Sequence, residues 1–357
     1  MRVALVMGGG DAPGLNAVLR AFVKRAVGQL GWDVLGVEHS FQGLFPERFA
    51  VRPLTPLSCQ GLLGRGGTIL GTTNRGDPFA FPMPDGSTQD RGGELADAVR
   101  RLRLDGLVVV GGDGTQRMAH RLMTGHGVPV IGVPKTIDND LGATDLTFGF
   151  RTAVDVATEA LDRLHTTAAS HDRVMFLEVM GRDAGHIALE SGIAGGADVI
   201  LLPELPYSPE RVASKIHKRR ALGRTFSIVV VAEGAVPRAL AEGSLRERRA
   251  RIDAGGGAAA IAREVLSPLV QAEMRFVVLG HLQRGGSPSP FDRILATRFG
   301  VGAVDLAAAG RWGELVCLRQ GRIEGVPLGD AVQGPRLVDP SGELVATARA
   351  VGIELGA

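Results

Sequence analysis

The chain has 357 residues, 45% hydrophobic and 22% charged, enough for one large or two medium domains with real cores. A formal net charge of +2 with no long basic run argues against a nucleic-acid partner, and two cysteines, Cys59 and Cys317, form neither a disulfide framework nor a metal-ligand spacing, which fits a reducing compartment. The opening Met1 to Met7 is too short for a signal segment or membrane span, so a cytoplasmic protein with no membrane partner is expected.

Arg2 to Met7 reads as a first strand, followed by the turn Gly8-Gly9-Gly10-Asp11-Ala12-Pro13-Gly14 and a helix from Leu15 to about Leu30. Backbone N–H groups in such a turn can cradle phosphate, but no Lys-Ser/Thr follows Gly14 as in a Walker A loop, so a plain tight turn stands beside that reading. Val34 to Val37 reads as a second strand. Arg65 to Arg75 is a glycine-rich loop with basic groups, and Asp77 to Gly93, rich in Pro, Gly, Asp and Ser, reads as an exposed excursion.

The densest chemistry lies between Asp105 and Asp140. Two short valine-rich runs read as buried parallel strands, each ending in a polar turn: Gly111-Gly112-Asp113-Gly114-Thr115 and Pro134-Lys135-Thr136-Ile137-Asp138-Asn139-Asp140. In a doubly wound sheet such turns line the ligand crevice. The first turn, with a helix expected from near Gln116, offers N–H groups, a helix N-terminus and the Asp113 carboxylate, a combination that holds phosphate through a divalent metal. In an extended second turn, Asp138 and Asp140 would point the same way, one to take a proton and the other to help hold metal.

A helix is expected over residues 149–169, then Arg173 before the strand Val174 to Val179 and the turn Met180-Gly181-Arg182-Asp183. Arg182 offers a planar fork of donors suited to phosphate, with an ion pair to Asp183 or Glu178 as the alternative. Ser227 to Ala232 reads as a buried strand ending at Glu233, whose carboxylate can accept sugar hydroxyls. Glu242 to Arg251 reads as an exposed helix or loop without chemistry, and a helix is expected from Ala258 to Val270. Arg275, His281 and Arg284, flanking Leu282 and Gln283, form a donor cluster fit for a phosphomonoester. The expected fold class is α/β: two Rossmann-like lobes with mainly parallel sheets flanked by helices.

In their order along the chain, Gly-Gly-Asp-Ala-Pro-Gly, Gly-Gly-Asp113-Gly114-Thr, Lys135-Thr-Ile-Asp138-Asn-Asp140, Met180-Gly-Arg182 and Leu-Gly-His281-Leu-Gln-Arg284-Gly-Gly-Ser-Pro resemble the 6-phosphofructokinase family. The resemblance implies transfer of a phosphoryl group to the 1-hydroxyl of fructose 6-phosphate. Asp138 would be the base and Arg182 the group that stabilises the moving phosphoryl. Thr136, Ile137, Arg173, Met180, Gly181, Glu233, Arg275, His281, Leu282, Gln283 and Arg284 would hold the sugar phosphate. Gly9, Gly10, Asn74, Arg75, Gly112, Asp113, Gly114, Thr115 and Lys135 would hold the donor, and Asp113 and Asp140 would hold Mg²⁺.

The resemblance also implies a homotetramer or dimer with active sites shared between subunits, a donor lobe of residues 1–149 with 283–333, and a sugar-phosphate lobe of residues 150–282 with 334–357. Gly114 favours ATP as donor because a side chain there would crowd the nucleoside, while Lys135 is the residue that accompanies pyrophosphate. A pyrophosphate-dependent enzyme and a non-catalytic sugar-phosphate-binding paralogue are the alternatives. A lipid or NAD kinase would explain only the Gly-Gly-Asp-Gly-Thr turn.

Overall fold

The computed structural model describes residues 1–357 and divides them into two compact units. Met1–Thr136, Leu141–Arg151 and Arg284–Pro335 form the first, and Ile137–Asp140, Thr152–Gln283 and Arg336–Ala357 the second. Residues 137–140, expected in the donor lobe, group instead with the second unit. The Arg336 guanidinium donates to the Asn139 carbonyl at 3.0 and 3.2 Å, and the Arg336 N–H donates to the Asp140 carbonyl at 2.7 Å.

The first unit is built on an eight-stranded mixed sheet. From one edge its strands run Arg322–Pro327, Glu314–Arg319, Val130–Thr136, Gly106–Gly111, Arg2–Met7, Asp33–Val37 and Val51–Pro53, with Phe148–Gly149 beside the end of Val130–Thr136. The four inner neighbours from Val130–Thr136 to Asp33–Val37 are parallel, and the edge pairings Glu314–Arg319 with Arg322–Pro327 and Asp33–Val37 with Val51–Pro53 are antiparallel. Successive side chains on a strand face opposite ways. Val3, Leu5, Met7, Val108, Val110, Ile131 and Val133 therefore pack with residues of the helices Leu15–Leu30 and Pro290–Ala308. Ala4, Val6, Leu107, Val109 and Val130 pack with the helices Gly92–Arg101 and Asp113–His126. With both faces covered, the strands read as unbroken apolar runs rather than alternating ones.

One polar side chain ties two of these strands at the ends where the chemistry lies. Gln116, 0% exposed, donates from Nε2 to the carbonyls of Val109, Gly111 and Val133 at 3.0–3.1 Å. Gln116→Leu keeps the volume and removes the donor, and should cost about 1–3 kcal/mol, read as a lower denaturant midpoint at unchanged slope.

The second unit holds a four-stranded, all-parallel sheet in the order Val199–Leu201, Ser227–Ala232, Val174–Val179, Met274–Val278. The first three are buried throughout, while the edge strand Met274–Val278 leaves Val277 and Val278 exposed. The α/β class expected from the sequence is the one observed.

Three local expectations need correction, and one is narrowed. The central helix begins at Asp113 rather than Gln116, because Gly112 at φ −81°, ψ −172° serves as its cap and leaves Asp113 in the first turn. The helix from Ala258 stops at Leu266 rather than Val270, since Pro268 cannot continue it. The charged segment, expected as an exposed helix or loop, is the helix Leu245–Ala254, started by a reciprocal Ser244–Glu247 capping box. The excursion 77–93 is not simply solvated: Phe79 and Phe81 are buried, and Arg91 lies 3.9 Å from the Phe45 ring centre while pairing with Glu47 and Glu94 at 2.6 Å.

Candidate active site

In the first unit the turn after Arg2–Met7 meets the ends of two further strands. The Gly8 N–H donates to the Val110 carbonyl at 2.9 Å and the Gly9 N–H to the Thr73 carbonyl at 3.0 Å. Gly9 has φ +81°, and a Cβ there would stand 3.2 Å from Thr115 Oγ1 and 3.3 Å from Lys135 Nζ. Any larger residue would push into both groups. A Cβ on Gly10 would stand 3.1 Å from the Arg284 guanidinium, which donates to the Asp11 carbonyl at 3.0 Å, and Lys135 Nζ donates to the Gly10 carbonyl. Thus Gly9, Gly10, Thr115, Lys135 and Arg284 gather around one bare backbone turn. Thr136, at the end of its strand, is buried and accepts at its carbonyl from the Thr147 hydroxyl at 2.7 Å.

Asp113 follows Gly112 at the N-terminus of its helix and pairs with Arg117 one turn on, at 3.0 Å. Gly114 is exposed, and a Cβ added to it would meet nothing within 4 Å. Asn74 and Arg75 are exposed in the loop whose Thr72 hydroxyl donates to the Gly9 carbonyl at 2.7 Å. That loop is held by a residue overlooked in the sequence: buried Asn16 donates to the Arg65 and Gly66 carbonyls at 3.1 Å and accepts from the Ile69 N–H at 3.0 Å. A polar residue between Leu15 and Ala17, on the face of a helix that enters the core, was the available signal.

In the second unit Ile137, Asp138 and Asn139 are buried, and Asp140 is half-buried. The segment is a bend, not extended chain: Asn139 has φ +54°, so the side-by-side placement expected for Asp138 and Asp140 on an extended strand does not apply. Arg182 is likewise left-handed, at φ +56°, and follows Gly181 at φ +142°, where a Cβ would lie 2.5 Å from the Ala184 carbonyl oxygen. Glu233 offsets this strain by accepting the N–H groups of Gly181 and Arg182 at 3.1 and 2.6 Å, so one carboxylate oxygen expected to meet sugar hydroxyls supports the loop instead. The ion-pair alternative for Arg182 is not realised. Asp183 takes Arg249 in a two-pronged pair at 2.7 and 3.0 Å, and Glu178 accepts the Ala259 N–H at 2.8 Å, leaving the Arg182 side chain exposed. Arg249 comes from the charged segment expected to carry no chemistry.

The Met180 N–H donates to Oε1 of fully buried Gln283 at 2.8 Å. Gln283 therefore shapes the backbone of the Met-Gly-Arg turn, while neighbouring His281 and Leu282 are exposed. Arg173 and Arg275 are brought together by a third residue, Glu273, which pairs with the first at 3.0 Å and the second at 2.6 Å. The Arg173 guanidinium in turn holds the Glu273 carboxyl below its usual range. Arg284 belongs to the first unit, so the cluster expected around His281 is divided by the boundary after Gln283.

Burial drives the His186 imidazole down from its ordinary 6.5 to about 4, and its Nε2 lies 3.0 Å from the Arg336 carbonyl, which can only accept. His186 is thus neutral with its proton on Nε2. A depressed histidine favours the folded state fully above pH 6.5 and loses that contribution as pH falls from 6.5 towards 4. The parent chain should lose on the order of 3 kcal/mol across that window from this group, and His186→Gln should flatten the profile in a pH series of denaturant midpoints.

No three His, Cys, Asp or Glu side chains are grouped so as to hold a metal ion by themselves. A hard cation of the magnesium type does not need such a cage, because it is bound by one or two carboxylates and completes its shell with phosphate oxygens and water. Asp113, a carboxylate at a helix N-terminus, fits that mode of binding.

An α/β fold with glycine turns and charged groups at the carboxyl ends of parallel strands places the chain among proteins that bind phosphorylated ligands there. Residues 2–307 match the family model described as phosphofructokinase. The chain is 53% identical to the ATP-dependent 6-phosphofructokinase of Chloroflexus aurantiacus, over 99% of this chain and 98% of the relative. It is 48% identical to ATP-dependent 6-phosphofructokinase 1 of Synechocystis sp., over 99% of this chain and 98% of the relative. Phosphofructokinase from Pichia pastoris, solved in the T-state, matches 93% of this chain with a TM-score of 0.79 at 30% identity, although this chain spans only 37% of that longer one. Pyrophosphate-dependent phosphofructokinase from Nitrosospira multiformis shares the fold, with a TM-score of 0.79 at 20% identity over 100% of this chain and 92% of that one. The chain belongs to the phosphofructokinase family.

Proposed function

We propose that this protein transfers the terminal phosphoryl group of ATP to the 1-hydroxyl of fructose 6-phosphate, giving ADP and fructose 1,6-bisphosphate in glycolysis. The observation that carries this reading is the bare turn at Gly9 and Gly10, flanked by Thr115 and Lys135, with open space above Gly114. Backbone N–H groups and a lysine there suit the donor's phosphates, and the missing Gly114 side chain leaves room for a nucleoside. The near full-length relatives named as ATP-dependent enzymes support the same donor.

In this mechanism Asp138 accepts the proton of the 1-hydroxyl as its oxygen bonds to the terminal phosphorus. The bond from that phosphorus to the bridging oxygen breaks, and ADP leaves. Arg182 neutralises charge on the moving group, and positioning with electrostatics supplies most of the acceleration. Mg²⁺, held by Asp113 and Asp140 with the donor's phosphates, would supply charge neutralisation on the phosphate oxygens. Gly112 belongs with the donor turn, and Asn74 and Arg75 border the same ligand. Thr136, Ile137, Met180, Gly181, Glu233, His281, Leu282, Gln283 and Arg284 shape or contact the sugar phosphate.

Arg275 contacts the sugar phosphate, and Arg173 acts on that of a neighbouring subunit in a homotetramer or dimer; the exposed Val277 and Val278 on an edge strand support such a contact. No helix is long and apolar enough to cross a membrane; a phosphorylated sugar and ATP as substrates support a cytoplasmic location. Phosphorus NMR of the purified chain with fructose 6-phosphate, ATP and Mg²⁺ tests the reading. Equal amounts of ADP and a new sugar 1-phosphate are expected, and an unchanged spectrum would favour a binding protein without turnover.

A further inference from the structure

The segment Arg336 to Val338 lies beyond the residues matched by the family model, which end at 307, yet it is laced to two elements of the candidate site within its own unit. The Arg336 guanidinium presents Nε and Nη2 to one acceptor, the Asn139 carbonyl, at 3.2 and 3.0 Å. The Arg336 backbone N–H donates to the next carbonyl, that of Asp140, at 2.7 Å. From its other side the Arg336 carbonyl accepts from Nε2 of His186, the first residue of the helix His186–Ala194, four positions after Arg182. Two residues on, the Val338 N–H donates to Glu204 Oε1 at 2.8 Å, and the same oxygen accepts the Gly185 N–H at 2.9 Å. One short strap thus holds both the bend that carries Asp138 and the end of the loop that carries Arg182.

Both elements need holding. Asn139 and Arg182 each adopt left-handed backbone, a conformation that persists only where surrounding contacts impose it. A carbonyl gripped by a planar, two-donor cation has its orientation fixed as well as its position.

We propose that Arg336 is a positioning residue for phosphoryl transfer, locking the Asp138 bend and coupling it to the Arg182 loop through His186. The proposal deepens the function given above and rests on it. Arg336 acts by keeping the base on a backbone that does not shift during turnover.

The test uses the full chain with Arg336→Met and Arg336→Lys, measuring kcat and KM for each substrate, the thermal midpoint, and amide exchange in peptides covering 137–141 and 181–186. Methionine removes both side-chain donors but leaves the backbone bonds, and lysine returns one donor and the charge. In Arg336→Met, kcat should fall roughly 10- to 100-fold, with KM for ATP within about twofold of the parent because methionine keeps the backbone N–H bond that holds the Asp140 carbonyl. Exchange should rise at 137–141, and Arg336→Lys should recover part of kcat. A folded Arg336→Met chain with parental kcat would overturn the proposal, as would a kcat loss matched by an equal rise in KM for ATP. Should the methionine variant not fold, Arg336→Lys decides: kcat lowered at least threefold at constant KM supports the strap, and parental kcat overturns it. Lack of turnover by the parent would count against the proposed reaction alone, and the exchange comparison would still judge the strap.

Discussion

Asp138→Asn should lower kcat roughly 100- to 10,000-fold, with KM for ATP and the thermal midpoint close to parental values. Asparagine has the same shape as aspartate but cannot take a proton from the sugar hydroxyl. The residue stands in a bend already fixed by the left-handed Asn139 and by Arg336, and it is 4% exposed, so the substitution changes chemistry with little scope for rearrangement. Steady-state kinetics with both substrates varied separates the roles. A loss confined to KM for fructose 6-phosphate would make Asp138 a binding group, and a loss below tenfold would remove it as the base.

Gly114→Asp should lower kcat/KM for ATP by roughly 100-fold while leaving the fold intact. The position is helical, does not need a positive φ, and would send a Cβ into open space. An acid in the first turn of a helix also complements the helix dipole, so stability should hold or rise slightly. The cost falls on the ligand. A second carboxylate beside Asp113, about 5 Å from a phosphate charge at an effective dielectric near 20, contributes about 3 kcal/mol of repulsion. Thermal midpoints and ATP saturation curves for the variant test both halves of this expectation, and unchanged ATP kinetics would contradict the role given to Gly114.

Much of the fold was legible because buried parallel strands leave a plain mark. Leu107 to Val110, Val130 to Val133 and Ile228 to Ala232 are unbroken apolar runs, since helices or neighbouring elements cover both faces. Punctuation was harder to read. Gly112 looked like part of a loop, whereas its extended backbone caps a helix that already contains Asp113. Phe79 and Phe81 lie in a segment whose composition is that of a surface loop, anchored by Arg91, stacked on Phe45 and paired with two acids, and by Arg121, which lies over Phe79 and pairs with Asp90.

Within the candidate site, the motif residues were visible as types at fixed spacing, but the groups that hold them were not. Arg336 meets Asn139 across 197 positions of sequence and binds a backbone carbonyl, which carries no signature of its own. Gln116 and Gln283 likewise spend their carboxamides on backbone groups. Asparagine tolerates the left-handed conformation found at Asn139, but a two-residue spacing of acids carries no mark that separates such a bend from extended chain.

The central claim, ATP-driven phosphorylation of fructose 6-phosphate, is tested most directly by initial rates of fructose 1,6-bisphosphate formation with ATP and with pyrophosphate at matched concentrations and fixed Mg²⁺. Turnover with ATP, and little or none with pyrophosphate, is the predicted result and would mean that the open space at Gly114 sets the donor. Turnover with pyrophosphate in place of ATP would contradict it and hand that choice to Lys135.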